Sequence, residues 1–286
     1  MPALVPVLLI VAAMASIQSG AATAKLTLFP AVGAEGTTAL RVTLAALILL
    51  VIWRPWRTWP RGRALAWIAF YGVAMGVMNL LFYMALKTIP LGVAVALEFT
   101  GPLVVAIAGS RRRIDFAWIV LAAAGVLLLL PLGRLSKPLD PAGLALALGA
   151  GACWALYIVF GKRAGTAGTG QATALGMTAA ALVVAPVGVA SAGEALLSPG
   201  LMPTALAVAV LSSALPYSLE MMALRRLPQR TFGVLMSLEP ALASLSGLIL
   251  LGERLTLIQC VAIAAVIAAS IGSAVTAKVA ESRPAP

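Results

Sequence analysis

Apolar runs of about 20 residues recur from one end of the chain to the other, separated by short polar punctuation. That is the length an α-helix needs to cross a hydrocarbon layer. Cutting at Pro, Gly and charge clusters predicts ten spans, over residues 4–24, 36–53, 64–86, 91–110, 115–132, 141–161, 171–191, 203–224, 229–250 and 255–277. Prolines 90, 141, 203 and 228 fall near the first turn of a span, where the missing N–H costs little. Spanning strands would instead alternate over segments of about ten residues, a pattern absent here. The expected fold is an all-α polytopic membrane protein. The opening run "MPALVPVLLIVAAMASIQSGAATAKL" has the apolar centre and small residues of a signal peptide. It lacks a basic start, and more apolar runs follow it, so it reads as the first span.

Composition agrees. With 62% hydrophobic and 10% charged residues, the chain has too little charge to cover a soluble surface. The net charge of +11 would suggest nucleic acid until the cations are mapped. With the N-terminus in the cytoplasm, the inner loops and tail hold Arg54, Arg57, Arg61, Arg63, Arg111, Arg112, Arg113, Lys162, Arg163, Arg225, Arg226, Arg230, Lys278 and Arg283. The outer loops hold Lys25, Lys87, Arg134, Lys137 and Arg254, and Arg41 lies in or near span two. This excess predicts cytoplasmic N- and C-termini and a face for anionic lipid, not a nucleic-acid partner. The chain has no histidine, and Cys153 and Cys260 each lie within an apolar run. No disulfide, metal site or cofactor is expected. No nucleotide or phosphate motif occurs, so transport, if that is the function, draws on a gradient.

A shift of 138 residues lays "ALKTIP" (85–90) on "ALRRLP" (223–228), Pro102 on Pro240, Leu97 on Leu235, Gly109 on Gly247, and Asp115 on Glu253. Five spans per half is an odd number, so the halves, 1–138 and 139–286, would be inverted relative to one another. Inverted repeats are the architecture of secondary transporters, with the site near the midplane. Small-residue stripes at Gly143, Ala147, Gly151 and Ala155, and at Ala264, Ala268, Gly272 and Thr276, predict close helix packing. Spans five and ten, without ionisable residues in their cores, are expected at the periphery.

Polar residues inside the spans carry the candidate chemistry. A charged carboxylate at the bilayer centre costs about 2.5 kcal/mol or more. Glu98 and Glu239 must therefore face the protein interior or a wet cavity, or carry a proton, which makes both candidates for proton coupling. Pro102 and Pro240 are candidate helix breaks, since each denies a donor to the carbonyl four residues back, Glu98 and Met236 respectively. Other polar side chains share helical faces: Gln18 and Ser19; Asn79 and Tyr83; Trp154 and Tyr157; Ser213, Tyr217 and Glu220. Each also has a plain reading as a cross-helix hydrogen bond or an interface anchor. Glu220, close to Arg225 and Arg226, is expected to pair with them. Arg41 has two readings, counter-ion to a buried carboxylate or binder of a substrate carboxylate.

Ten spans in two fives, "TALR" in span two, and the prolines ending the third-to-fourth loops resemble the drug/metabolite transporter superfamily, most of all its EamA-type members. Within that group "MASIQSG", "FYGVAMGVMNLLFY", "TIPLGVAVALEFTGPL", "ALALGAGACWALYI", "LSSALPYSLEMMAL" and "GVLMSLEPALASLSGLILLGERLTLIQ" are similar to amino-acid exporters. The resemblance implies export of small amino acids, threonine and homoserine above all, across the bacterial inner membrane by alternating access. The physics fits. A zwitterion needs an anion for its ammonium, which Glu98 supplies, and donors for its carboxylate, which Arg41, Asn79 or the N–H groups of a broken helix supply. Tyr83, Gln18 and Ser213 suit a hydroxylated side chain, and Trp154, Tyr157 and Tyr217 complete the expected substrate set. Proton antiport and a homodimer are left open. The rival readings are an exporter of another metabolite, such as a drug or purine, an intramembrane enzyme, and a scaffold. The enzyme reading lacks a nucleophile–base pair or metal set.

Overall fold

The structure, a computed structural model, describes residues 4–85, 87–89, 91–129, 139–239, 242 and 256–281. Among them there are helices and turns but no strand. In chain order the α-helices are α1 (Leu4–Thr27), α2 (Phe29–Trp53), α3 (Arg63–Ala85), α4 (Leu91–Glu98), α5 (Thr100–Gly109), α6 (Arg113–Leu129), α7 (Pro141–Ala164), α8 (Thr169–Ala192), α9 (Met202–Ala209), α10 (Leu215–Arg226), α11 (Gln229–Leu235) and α12 (Leu257–Glu281). Five helical stretches, Phe29–Trp53, Arg63–Ala85, Pro141–Ala167, Thr169–Leu197 and Pro199–Arg226, are long and apolar enough to cross a membrane. Val5–Ala21, Val93–Gly109 and Cys260–Ser273 are shorter and equally apolar in character. The chain is a polytopic helical membrane protein.

Several expected spans are more broken than the apolar pattern suggests. The run 91–110 is two helices, α4 and α5, meeting at Phe99. The run 203–224 is α9, a π turn over Val210–Ala214, and α10. Helix α2 starts earlier than expected and bends at Gly33, whose φ of 66° is left-handed and suits a residue without Cβ. The expected span 229–250 is described only through Glu239 and at Leu242, so Pro240 and the partner positions Gly247 and Glu253 lie outside the described residues.

Helix α2 packs along α8, α3 along α7 and α8, and α1 along α10. Helices α6 and α12 pack mainly on each other and reach the rest through α4, α5 and α11, at the periphery. In lipid the apolar effect does not pull helices together, so backbone fit has to. The crossings are built on glycine. A Cβ on Gly101 would lie 1.9 Å from the Gly151 carbonyl oxygen, and one on Gly72 would lie 2.2 Å from that of Gly176. Gly143, Ala147 and Gly151 of the α7 stripe are buried in such contacts. The α12 stripe departs from expectation. Gly272 does receive the Trp118 ring, but Ala264 and Ala268 are exposed, and the buried seam runs through Ala262, Val266, Ala269 and Ser273. Both rows recur at helical spacing, and only the packing partner decides which one faces inward.

Helix α7 begins at Pro141 with Asp140 as its cap, whose carboxylate accepts from the Ala142 and Gly143 amides at 3.3 and 3.2 Å. The Thr88 hydroxyl and these two amides hold the Asp140 carboxyl below the usual carboxylate range.

Overpacking a helix crossing costs about 1–3 kcal/mol. Gly101→Val therefore lowers the melting temperature of the detergent-solubilised protein clearly. Gly200→Ala, with nothing within 4 Å of the added methyl, leaves it unchanged.

Candidate functional site

A cavity of about 440 Å³ lies between α1, α2, α3, α4, α7 and α10. Its walls are mostly apolar and aromatic, with Ile17, Phe29, Met78, Phe82, Val95, Phe99 and Trp154 among them. Into this lining project one guanidinium, Arg41, and three carboxyls, Glu98, Glu220 and Glu239.

Arg41 is buried, 6% exposed, and its position is set by a defect in another helix. Pro216 has no N–H, so it returns no hydrogen bond to the carbonyl four residues back, Ser212, or, in π register, to the one five back, Leu211. Those two oxygens are taken from outside the helix. Arg41 donates to the Ser212 carbonyl at 3.1 Å, and Ser16 Oγ donates to the Leu211 carbonyl at 2.6 Å. Gly20 lets α1 come this close, since a Cβ there would sit 2.8 Å from the Ser212 nitrogen. Arg41 also donates to Ser213 Oγ at 3.2 Å and to Asn79 Oδ1, and its guanidinium lies 5.5 Å from the centre of the Tyr83 ring.

Asn79 continues the chain of contacts, donating through Nδ2 to the Met75 carbonyl at 2.8 Å and to the Tyr217 hydroxyl at 3.1 Å. One turn further along α10, Glu220 accepts from the Tyr157 hydroxyl at 2.8 Å. Among the described residues the ion pairs are Lys87–Glu35 and Arg230–Asp115, so no carboxylate described lies within 4 Å of Arg41. The buried Nε of Arg41 has no hydrogen-bond partner.

The structure brings together Gln18, Arg41, Asn79, Tyr83, Glu98, Trp154, Tyr157, Tyr217 and Glu239 in the lining of one cavity. Ser213 is not on the wall; it is fully buried behind Arg41 and supports it. Pro102 stands in α5, away from the lining, with its carbonyl oxygen 2.5 Å from where a Cβ on Gly233 would be. The Glu98 carbonyl that Pro102 leaves free lies against Gly151, 2.8 Å from the same construction there. The α4–α5 break thus seats backbone against α7 and α11, while the Glu98 side chain faces the cavity. Pro240 lies outside the described residues.

The expected pairing of Glu220 with Arg225 and Arg226 does not occur. Glu220 is 5% exposed and points to Tyr157 and the cavity, whereas Arg225 donates to Thr169 Oγ1 at 2.7 Å. Five residues of helix separate Glu220 from Arg225, which turns the two onto different faces. The Ser212 carbonyl was also missed, although its signal was in the sequence: Pro216 stands four residues beyond it.

Comparison with known proteins follows from this geometry. The model of the EamA-like transporter family matches residues 141–275. The chain is 55% identical over 278 residues to the threonine/homoserine exporter RhtA of Escherichia coli (strain K12), covering 97% of this chain and 94% of that protein. It is 55% identical over 276 residues to the threonine/homoserine exporter RhtA of Salmonella typhimurium (strain LT2), covering 96% and 93%. The chain belongs to the EamA-like transporter family. A crystal structure of a protein only 17% identical superposes with a TM-score of 0.75 over 98% of each chain, so this EamA-type fold persists where sequence has largely diverged.

Loss of the Asn79 amide leaves Arg41 and Tyr217 short of a partner, and an unsatisfied buried group costs about 1–3 kcal/mol. Asn79→Ala should destabilise the purified protein by that amount in thermal unfolding. Gln18→Ala, in the same lining but without a hydrogen bond among the described residues, should change it little.

Proposed function

We propose that the chain is a secondary-active exporter of small amino acids, threonine and homoserine foremost, working by alternating access through two inverted five-helix halves. The observation that carries this is Arg41. It is a buried cation held by neutral acceptors, without a described carboxylate partner within 4 Å, in a cavity whose lining also carries three carboxyls. An α-amino acid presents one negative and one positive end, and such a cavity offers a partner to each. Arg41 takes the carboxylate, with Asn79 beside it. Glu98 takes the ammonium, and Glu98 and Glu239 exchange protons as substrate comes and goes. Gln18, Tyr83, Trp154, Tyr157 and Tyr217 shape the remainder, and Ser213 holds Arg41 in place. The relatives' export of threonine and homoserine supports this substrate class. Transport, not catalysis, is the consequence of such a site.

Packing supports the inverted halves, 1–138 and 139–286. A shift of 138 residues relates α1 to α7 and α3 to the α9–α10 run. Helix α1 packs on α9 and α10, and α3 packs on α7, so the exchange maps one contact onto the other. It also maps α2 and α8, and α6 and α12, onto each other, and both pairs are in contact. Asn79 and Tyr217 are 138 residues apart and hydrogen-bonded, as equivalent residues beside a two-fold axis should be. The family model's match begins at Pro141, the first residue of α7, which fits a second half that is a unit in itself. On the basic-residue count, both termini face the cytoplasm.

In proteoliposomes the protein should exchange labelled threonine and homoserine in counterflow. A panel with purines and drugs would show instead whether another metabolite is preferred. Losing one partner of a desolvated ion pair costs about 2 kcal/mol or more, roughly thirtyfold. Arg41→Gln should raise the half-saturating threonine concentration on that scale. Unchanged affinity in this variant would remove Arg41 from the site.

A further inference from the structure

Glu220 is a third carboxyl in the cavity, and the amino-acid site proposed above leaves it without a task. It is embedded in the floor. Tyr157, 1% exposed, donates to it at 2.8 Å. Behind Tyr157 lies Tyr71 of α3, fully buried, with ring centres 4.9 Å apart. The Tyr71 ring fills the space left by Gly161 of α7 and Gly176 of α8, so it closes the packing of α3, α7 and α8 behind Tyr157. Its hydroxyl is buried and has no hydrogen-bond partner. A polar group left in that state is costly, and a plain packing residue here would be phenylalanine.

The charged surroundings of Glu220 are few. Facing it are Tyr157 from α7, Tyr71 from α3, Tyr217 on its own helix and Glu239 beyond α11, with Arg41 of α2 further along the wall. Helix α8 carries no titratable residue, and α1 offers Gln18. Lys162 on α7 is turned away, to the Leu224 and Leu227 carbonyls at 2.7 Å each. No described cation lies within 4 Å of Glu220. A carboxyl placed this way inside a membrane is matched to a proton.

We propose that Glu220, Tyr157 and Tyr71 form a proton exit on the closed side of the cavity. This rests on the export reading above and adds the path by which a coupled proton leaves. When the Tyr157 hydroxyl turns from Glu220 to Tyr71, to which it is not hydrogen-bonded in this structure, protonated Glu220 gives its proton to the Tyr157 oxygen as the Tyr157 proton passes to the Tyr71 oxygen. The Tyr71 proton passes to water admitted when the floor opens. One proton is transferred from Glu220 to water, and both phenols are restored. Tyr71 thus serves both in the packing and as the last relay group.

The test uses the full chain in proteoliposomes, comparing wild type, Glu220→Gln, Tyr157→Phe and Tyr71→Phe for threonine counterflow and for threonine accumulation driven by a pH gradient. Counterflow moves no net proton. In Glu220→Gln it should remain measurable, while gradient-driven accumulation falls about tenfold or more and its pH profile flattens. Tyr71→Phe, which keeps the ring and its packing and lies off the cavity lining, should slow the gradient-driven step and shift its pH profile without abolishing counterflow, and Tyr157→Phe should slow the gradient-driven step by more than it slows counterflow. Wild-type accumulation that ignores the pH gradient overturns the relay and leaves the exporter reading intact. Gradient-driven transport at wild-type rate and pH profile in Glu220→Gln or in both phenylalanine variants overturns it as well. Loss of counterflow in Glu220→Gln places Glu220 in substrate binding instead and also overturns it. Absence of threonine counterflow in wild type refutes the export reading itself.

Discussion

A guanidinium buried in a membrane protein needs acceptors, and supplying them to the two terminal nitrogens of Arg41 organises the centre of this molecule. Five N–H donors in a fixed fork cannot be satisfied by one neighbour. Here they draw on α3 through Asn79 and on the π turn before α10 through Ser212 and Ser213. The Ser212 carbonyl is available only because Pro216 ends the normal ladder. The π turn and the arginine are thus one feature seen from two helices. Glycine at position 20 completes it, since α1 must touch the same turn for Ser16 to reach the neighbouring carbonyl.

That arrangement explains why the site can afford to leave charge unpaired. A buried ion pair would neutralise Arg41 but would also occupy it. Neutral acceptors hold the group in place without cancelling its charge, and the Tyr83 ring covers one face. On the proposed reading, an incoming substrate carboxylate meets a preorganised cation and loses little to rearrangement. The carboxyls stand apart from Arg41 around the wall, which suits a ligand whose two charges sit at opposite ends.

Much of this was legible in the chain. Apolar run length located the helices, because hydrocarbon thickness fixes how many residues a span needs. The expense of ionisable groups in lipid picked out Glu98, Glu239 and Arg41, and all three face the cavity. What could not be read was orientation around each helix. Glu220 stood near arginines in sequence and was assigned to them, yet its helical face turns it to Tyr157. Ala264 and Ala268 were chosen for the α12 seam although the row beside them faces inward. Local spacing does not reveal which partner lies on which side. Proline signals were read unevenly for a related reason. Pro102 drew notice beside a carboxylate, but the carbonyl it frees is packed against Gly151. Pro216 stands in the same turn as Tyr217, and one of the carbonyls it frees holds the central cation.

On the proposed division into two halves, the polar residues of the cavity have no like partners. Under the 138-residue shift Arg41 corresponds to Ala179, Glu98 to Met236, Tyr157 to Ser19 and Glu220 to Phe82, while Asn79 meets Tyr217. The glycines and small residues at helix crossings answer to backbone geometry. The polar residues answer to the ligand. A second copy of Arg41 at position 179 would set two guanidinium groups in one membrane-embedded centre, where each buried charge is costly. On the proposed reading, recognition of a zwitterion asks the lining to differ between the halves, and Asn79 and Tyr217, hydrogen-bonded to each other 138 positions apart, stand where the halves meet.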